Sequence, residues 1–306
     1  MTSTTNEYTQ VQETETSMTT RRRRRRTRWE VHIPLVIICL IVALPALYAV
    51  QVATLENVDA LEMNPPRLFP PGADLGDNVE ILFDNRDFGT MLVNTAIVSL
   101  VVVVAKIGIA MLAGVAFVYF KFPGKWFLFF VILLTLLMPT EIILVPLFDL
   151  VGKEHLGWLS QQEGSAANPR LALTMPFIGT AIGVFLFRQH FSNIPRELVE
   201  AAQIDGASPL RFLYSILLPM SWNVIAALAI IQFITMWHQY IWPKFIISDP
   251  EDQMIQVGVR NAAGISGTTD FGLLMAAGVV ASIPPVIIFV LLQKQFMNGF
   301  ALTRDK

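Results

Sequence analysis

Two ionisable side chains stand deep inside apolar runs of this 306-residue chain: Lys106 in VVVVAKIGIAMLAG and Glu141 in LMPTEIILVP. Placing a charge there costs at least ~2.5–3.5 kcal/mol on insertion scales, so each needs a reason to be present. Three readings stay open from the residues alone. The pair can neutralise each other, Lys106 can snorkel towards an interface, or the ammonium can face a passage and offer a counter-charge to an anion. A second concentration of polar chemistry is RELVEAAQIDGASPLRFLYSILLPM, Arg196 to Met220, which interrupts two long apolar stretches. With Arg188 just upstream, it gathers Arg196, Glu197, Glu200, Asp205 and Arg211 beside the small residues Ala201, Ala202, Gly206 and Ala207. Other chemistries lack their residues. Cys39 is alone and His32, His155, His190 and His238 are scattered, so no metal site is expected. No phosphate-binding G-x-x-x-x-G-K-[ST] occurs, because Gly264-Ile-Ser-Gly267-Thr268 lacks the lysine. The chain is therefore not expected to hydrolyse ATP, and no paired carboxylates or histidine box mark a membrane enzyme.

The elements that must position these residues are apolar helices. Hydrophobic residues make up 54% of the chain and charged ones 15%, against about 25% charged in soluble domains, which points to a polytopic membrane protein. Six segments approach the ~20 residues needed to cross a bilayer: 33–53, 91–119, 126–150, 171–187, 222–247 and 271–292. The fourth is the shortest. The first is too long for the apolar core of a signal peptide and is read as retained. Residues 1–20 are Thr, Ser, Glu and Gln with little to bury, and are expected to be disordered. The Arg21–Arg26 block after them is read as a topology anchor over a nucleic-acid patch, given the apolar run that follows.

Six spans place both termini on one side. With the N-terminus cytoplasmic, fifteen of the twenty-two basic residues lie inside: Arg21–Arg26, Arg28, Lys121, Lys125, Arg188, Arg196, Arg211, Lys294, Arg304 and Lys306. Six lie outside, and Lys106 lies within a span, which is the cytoplasmic bias expected of Lys and Arg. The expected organisation is thus all-α: a tail over 1–30, a first span over 31–53, an acidic outer loop over 54–90 and a core over 91–300. Prolines inside several spans (Pro34, Pro45, Pro139, Pro146, Pro176, Pro243, Pro284 and Pro285) predict kinked helices around a cavity.

Within the polar segment, Asn193 is expected to cap a helix carrying Pro195 in its first turn, with Glu197 and Glu200 near the positive end of its dipole. Gly206 supplies a left-handed residue, Ser208 with Pro209 starts a second helix, and Pro219 closes it. Phe212, Ile216 and Leu217 form an apolar stripe, and Ala201 with Ala202 form a surface open to close backbone approach. Such a capped knob could rest on the membrane interface, but its acidic, small first helix has little apolar area to hold on lipid and suits a protein partner better.

The stretch EAAQIDGASPLRFLYSILLP, Glu200–Pro219, resembles the EAA loop of permease subunits in type I ABC importers. The likeness extends from about Met91 to Phe300 and includes NTAIVS, FLFRQHF and MWHQYIWP, which are similar to carbohydrate-type importers, the maltose and glycerol-3-phosphate systems. LTLLMPTE and IPPVIIF look closer to the glycerol-3-phosphate branch. The Arg-rich tail and much of the outer loop fall outside the likeness. The resemblance implies six transmembrane helices with cytoplasmic termini, in a type I ABC importer permease fold. Two permease chains, one of them a second homologous subunit, would line one pathway, while an external solute-binding protein delivers the solute and two ABC ATPase subunits bind ATP and Mg. This chain would need no cofactor. By the resemblance, Glu200, Ala201, Ala202, Asp205, Gly206, Ala207 and Pro219 form the ATPase-coupling element. Pathway candidates are Lys106, Glu141, Asn94, Trp237, Gln239 and Tyr240, although a Trp near the end of a span is commonly an interface anchor. The implied solute is glycerol-3-phosphate or a glycerophosphodiester. The alternatives are a neutral di- or oligosaccharide of the maltose or trehalose type and, in another class, an ion-coupled secondary transporter, for which no internal repeat is found.

Overall fold

The computed structural model describes residues 29–56, 71–152, 156–158, 169–264 and 270–301, and these contain helices and no strand. Helix is what an apolar chain must form in lipid, since only internal hydrogen bonds satisfy its backbone there. The chain divides into two compact units, one ending at Leu47 and one beginning at Tyr48. The first holds most of helix α1, Trp29–Val52, whose Pro34 and Pro45 lie inside the helix. Its large apolar side chains from Val31 to Val42 are exposed, with Val42 at 73%, as a lipid-facing span requires, while Gln51 and Val52 at its end are buried.

In the second unit, α2 (Leu75–Asn85) lies within the stretch read as an outer loop, and its Asn78 donates to the carbonyls of Ala53 and Leu55. Asp87, at φ 52, turns the chain sharply into α3, Phe88–Tyr119, the 32-residue centrepiece. The apolar stretch after it is not one straight rod. Helix α4, Lys125–Leu137, and the next helix, α5 (Thr140–Val151), meet near Pro139 at a bend of 106°. Helix α6, Pro169–Phe177, passes to α7, Ala181–Ser192, through a 44° bend. Next come α8 (Arg196–Ile204), α9 (Pro209–Met220) and α10 (Trp222–Trp237), the last two set 78° apart. Two short helices, α11 (Ile241–Ile246) and α12 (Ile255–Ala262), precede α13, Phe271–Ala301. Among the described residues, three helices are long and apolar enough to cross a membrane, or up to six if each bent pair is one span.

Besides the 106° bend within 126–150, the structure departs from the sequence reading at 222–247, where helix α10 stops at Trp237 and α11 is a separate piece, so the apolar run is not one rod. The expected prolines act as breakers at Pro139 and Pro176, while Pro284 and Pro285 sit inside unbroken α13. Residues 1–28 and 57–70, which include the Arg block and much of the long acidic loop, lie outside the described residues.

Helix α3 organises the packing. Its C-terminal half meets α7 through small residues, the device that lets membrane helices approach closely. A Cβ on Gly114 would lie 2.8 Å from the Phe187 Cβ, and one on Gly183 would lie 2.8 Å from the Ala110 Cβ. Neither neighbour is the mobile end of a side chain. Gly114→Ala is therefore expected to destabilise the fold by about 1–3 kcal/mol, read as a lowered midpoint of thermal unfolding in detergent. Gly108 on the same helix has open space around it, so Gly108→Ala serves as the neutral comparison.

Candidate coupling loop and buried polar seam

Helices α8 and α9 form a helix–turn–helix that joins α7 to α10. Pro195, extended at φ −55 and ψ 135, precedes α8, and Glu197 lies in its first turn. Glu200 sits three positions further on, past the first turn in which the dipole acts. Asn193 does not cap α8: it ends α7 and its amide donates to the Gln189 carbonyl at 2.9 Å. Asn193 belongs to the element before, because Ile194 still closes onto Phe191 O at 3.3 Å and the extended residue ahead of α8 is Pro195. At the other end the turn closes through Asp205 N–H to Ala201 O at 2.9 Å, Gly206 N–H to Gln203 O at 3.1 Å and Ala207 N–H to Ala202 O at 2.9 Å. Gly206 takes φ +66, and nothing lies within 4 Å of where its Cβ would be, so backbone handedness and not crowding requires glycine there. The Ser208 hydroxyl accepts from Arg211 N–H and starts α9 as expected.

Helix α9 does not close at Pro219. Leu213–Leu217 is a π-helical turn, and Pro219 follows inside the helix. Proline has no N–H and its ring crowds the carbonyl four residues back, so a widened turn ahead of it relieves the conflict. The sharp break comes two residues later at Ser221, buried, with its hydroxyl donating to Leu217 O at 2.6 Å.

The loop has two faces. Ala202, Phe212, Leu213 and Leu217 are buried in one cluster with Phe117, Phe187 and Phe191 from α3 and α7. Tyr119 meets Phe212 edge-on at 5.5 Å, and its hydroxyl donates to Phe191 O, so the loop, α3 and α7 are packed as one block. Glu200, Ala201, Asp205 and Gly206 face outward, Ala207 is half-buried, and Pro219 is exposed. Ala202 thus faces inward, so it cannot join Ala201 in an outward contact surface. The sequence reading also missed apolar side chains on the outer face: Ile204 is 86% exposed, Leu210 60% and Tyr214 64%. The signal was present, because Ile204 lies about 200° round the helix from Ala202 and cannot share its burial.

A second constellation lies along α3, where Thr95, Ser99 and Lys106 fall on one buried stripe. Lys106 donates to Gln232 Oε1 on α10 at 2.5 Å, and both side chains are buried. Gln232 was not singled out from sequence, where one amide in an apolar helix carries little weight. The Glu141 side chain lies outside the described residues. Ser99 Oγ is buried without a hydrogen-bond partner. At the N-terminal end of α3, Asn94 donates to the carbonyls of Glu251 at 2.7 Å and Gln253, and Thr95 Oγ1 accepts from Ile255 N–H. Arg170 reaches both Asn94 Oδ1 and Asp252, the latter at 3.6 Å. Trp237 is buried, stacked on Phe233, and donates to Ala281 O on α13. Gln239 and Tyr240 are half-buried in the link after α10, where the Lys244 ammonium stands 5.5 Å from the Tyr240 ring. Among the described side chains, the pathway candidates Lys106, Asn94, Trp237 and Tyr240 thus have separate partners. Among the described residues no cluster of His, Cys, Asp and Glu could hold a metal ion.

The model of the binding-protein-dependent transport system inner membrane components matches residues 106–300. The chain is 34% identical over 275 residues to the sn-glycerol-3-phosphate transport system permease protein UgpE of Pectobacterium atrosepticum, covering 88% of this chain and 94% of the relative. It is 35% identical over 280 residues to the protein of that name from Rhizobium meliloti, covering 89% and 95%. A crystal structure of a bacterial ABC transporter involved in the import of the acidic polysaccharide alginate aligns with a TM-score of 0.72 at 21% identity, covering 87% of this chain and 94% of the matched chain.

Proposed function

The chain belongs to the family of binding-protein-dependent transport system inner membrane components, and on that premise we propose that it carries glycerol-3-phosphate or a glycerophosphodiester through a pathway shared with a second, homologous permease. Family membership makes it a membrane-embedded permease subunit of an ABC importer, a transport protein and not an enzyme, working with an ATPase and a solute-binding protein. It also decides against the ion-coupled secondary transporter. In the proposed assembly two ATPase subunits bind ATP and Mg on the cytoplasmic side, and six spans leave both termini there.

The solute assignment draws on the names of the curated relatives and on one observation in this chain. Lys106 is buried against an uncharged partner, so an ammonium sits within the membrane span with no described carboxylate paired to it. Opening the α3–α10 contact would present a cation to a phosphate, whereas a neutral sugar has no use for one.

Coupling follows from the packing. The outer face of α8 and the turn, with Glu200, Ala201, Asp205, Gly206 and Ile204, docks on an ATPase subunit. Displacement of the turn is carried by Ala202, Phe212 and Leu217 into α3 and α7, because that cluster is close-packed and does not yield locally. The bend at Ser221 passes it to α10, which carries Gln232.

Uptake by the assembled importer, reconstituted with its binding protein, tests the solute. Labelled glycerol-3-phosphate should accumulate with ATP, and unlabelled glycerol-3-phosphate should compete while maltose should not. Competition by maltose or trehalose would overturn the assignment in favour of the neutral sugar.

A further inference from the structure

The turn between α3 and α4 concentrates cations and aromatic rings that the coupling loop and the polar seam do not use. Lys121, Phe122, Lys125, Trp126 and Phe127 line an open cleft of about 410 Å³, turned by Gly124 at φ +71. Beside it, from α7, the Arg188 guanidinium lies 4.7 Å from the Trp126 ring centre and 4.6 Å from that of Phe129. Lys125 also donates to Phe120 O at 3.2 Å and, at 3.5 Å, to Val118 O, which fixes its ammonium at the rim. Residues 88–140 and helix α7 contain no Asp or Glu, and among the described residues no ion pair reaches any of these three cations. A half-buried guanidinium held by two ring faces has its orientation set, but its charge is not balanced by them.

Directly below this turn, Phe127, Phe130 and Leu134 follow at i, i+3 and i+7 on α4, at 75%, 59% and 59% exposure. A basic head region continuous with an exposed apolar stripe matches a molecule with an anionic head and hydrocarbon tails. We propose that the α3–α4 turn is a binding site for an anionic phospholipid, with Lys121, Lys125 and Arg188 around the phosphate and the acyl chains along α4. Trp126 closes the cleft at headgroup depth, where amphipathic rings are favoured. The assignment to the cytoplasmic leaflet rests on the charge-based topology proposed above, while the site itself is independent of the solute.

The test uses the full chain, purified with its partner subunits in detergent and mixed with phosphatidylglycerol or phosphatidylcholine, with retained lipid read by native mass spectrometry. Wild type should retain phosphatidylglycerol over phosphatidylcholine. The variant Lys121→Gln/Lys125→Gln/Arg188→Gln should lose that preference, by roughly fivefold for each charge removed. A comparison variant, Arg196→Gln/Arg211→Gln/Lys294→Gln, removes the same charge elsewhere and should keep it. Arg188→Lys, which leaves the charge and loses planar stacking, guards against a folding defect and should show a partial loss. Equal loss in the comparison variant would overturn the proposal by making the effect one of bulk charge. Displacement of the lipid by millimolar inorganic phosphate would overturn it too, since the tails would then contribute nothing. Glycerol-3-phosphate uptake, measured separately, reports on the solute reading alone.

Discussion

Gly206→Val is expected to reduce ATP-driven uptake at least tenfold while the chain still inserts and assembles. The turn residue sits at φ +66, where a β-branched side chain meets its own carbonyl and costs about 1–2 kcal/mol or more. No neighbour lies within 4 Å of a Cβ added there, so crowding at that atom does not oppose the substitution. The damage falls on the outer surface, where the side chain would stand between Asp205 and Ala207 in the proposed contact with the ATPase. Gly206→Ala should give a milder loss of the same kind, and Gly206→Asn the mildest, because asparagine tolerates the left-handed region. Uptake, ATPase rate and co-purification of the ATPase are measured together. Normal coupled uptake by the valine variant would remove Gly206 from the coupling element.

The second large effect is expected at the Lys106–Gln232 pair. Gln232→Leu removes the hydrogen bond to a buried ammonium and should destabilise the chain by about 1.5–3 kcal/mol. Lys106→Met leaves the Gln232 amide unpaired and should cost about 1–3 kcal/mol. The double variant Lys106→Met/Gln232→Leu replaces both partners with apolar groups of similar size, so most of the stability should return. Uptake separates a structural pair from a functional one. If Lys106 is the counter-charge for a phosphate, glycerol-3-phosphate uptake stays at least tenfold down in the double variant although its thermal midpoint has recovered. Recovery of uptake along with stability would make the pair a packing device only.

Much of the coupling loop was legible because its signals are local. Gly206 and the Ser208-Pro209 start depend on backbone handedness and on caps within three residues, and both stand where the sequence put them. Asn193 was misassigned for the same reason: it can cap the helix after it or end the helix before it, and only the position of α7 decides. The apolar runs located the helices but not their breaks. The stop at Trp237 coincides with the polar pair His238-Gln239, which the sequence reading ran through as part of one span; the break is held by burial of that indole against Ala281 and of Trp242 against Ala172. Gln232 was illegible for a further reason. Its weight comes from Lys106, 126 positions away, and contacts at that separation are set by tertiary packing.

The length of α3 has a consequence for the membrane around it. Its 32 residues make a rod of about 48 Å, against a hydrocarbon thickness of about 30 Å. Both ends are fastened: Asn94 and Thr95 hold the 251–255 backbone near one, and Tyr119 holds Phe191 at the other. A rod fixed at both ends cannot slide along its axis, so it adapts to bilayer thickness by leaning. Any lean is shared by α7 through the Gly114 and Gly183 contacts, which leave no slack between the two helices. Bilayer thickness is thereby built into the resting geometry of the importer, and its turnover should vary with lipid chain length even when headgroup and solute are held constant.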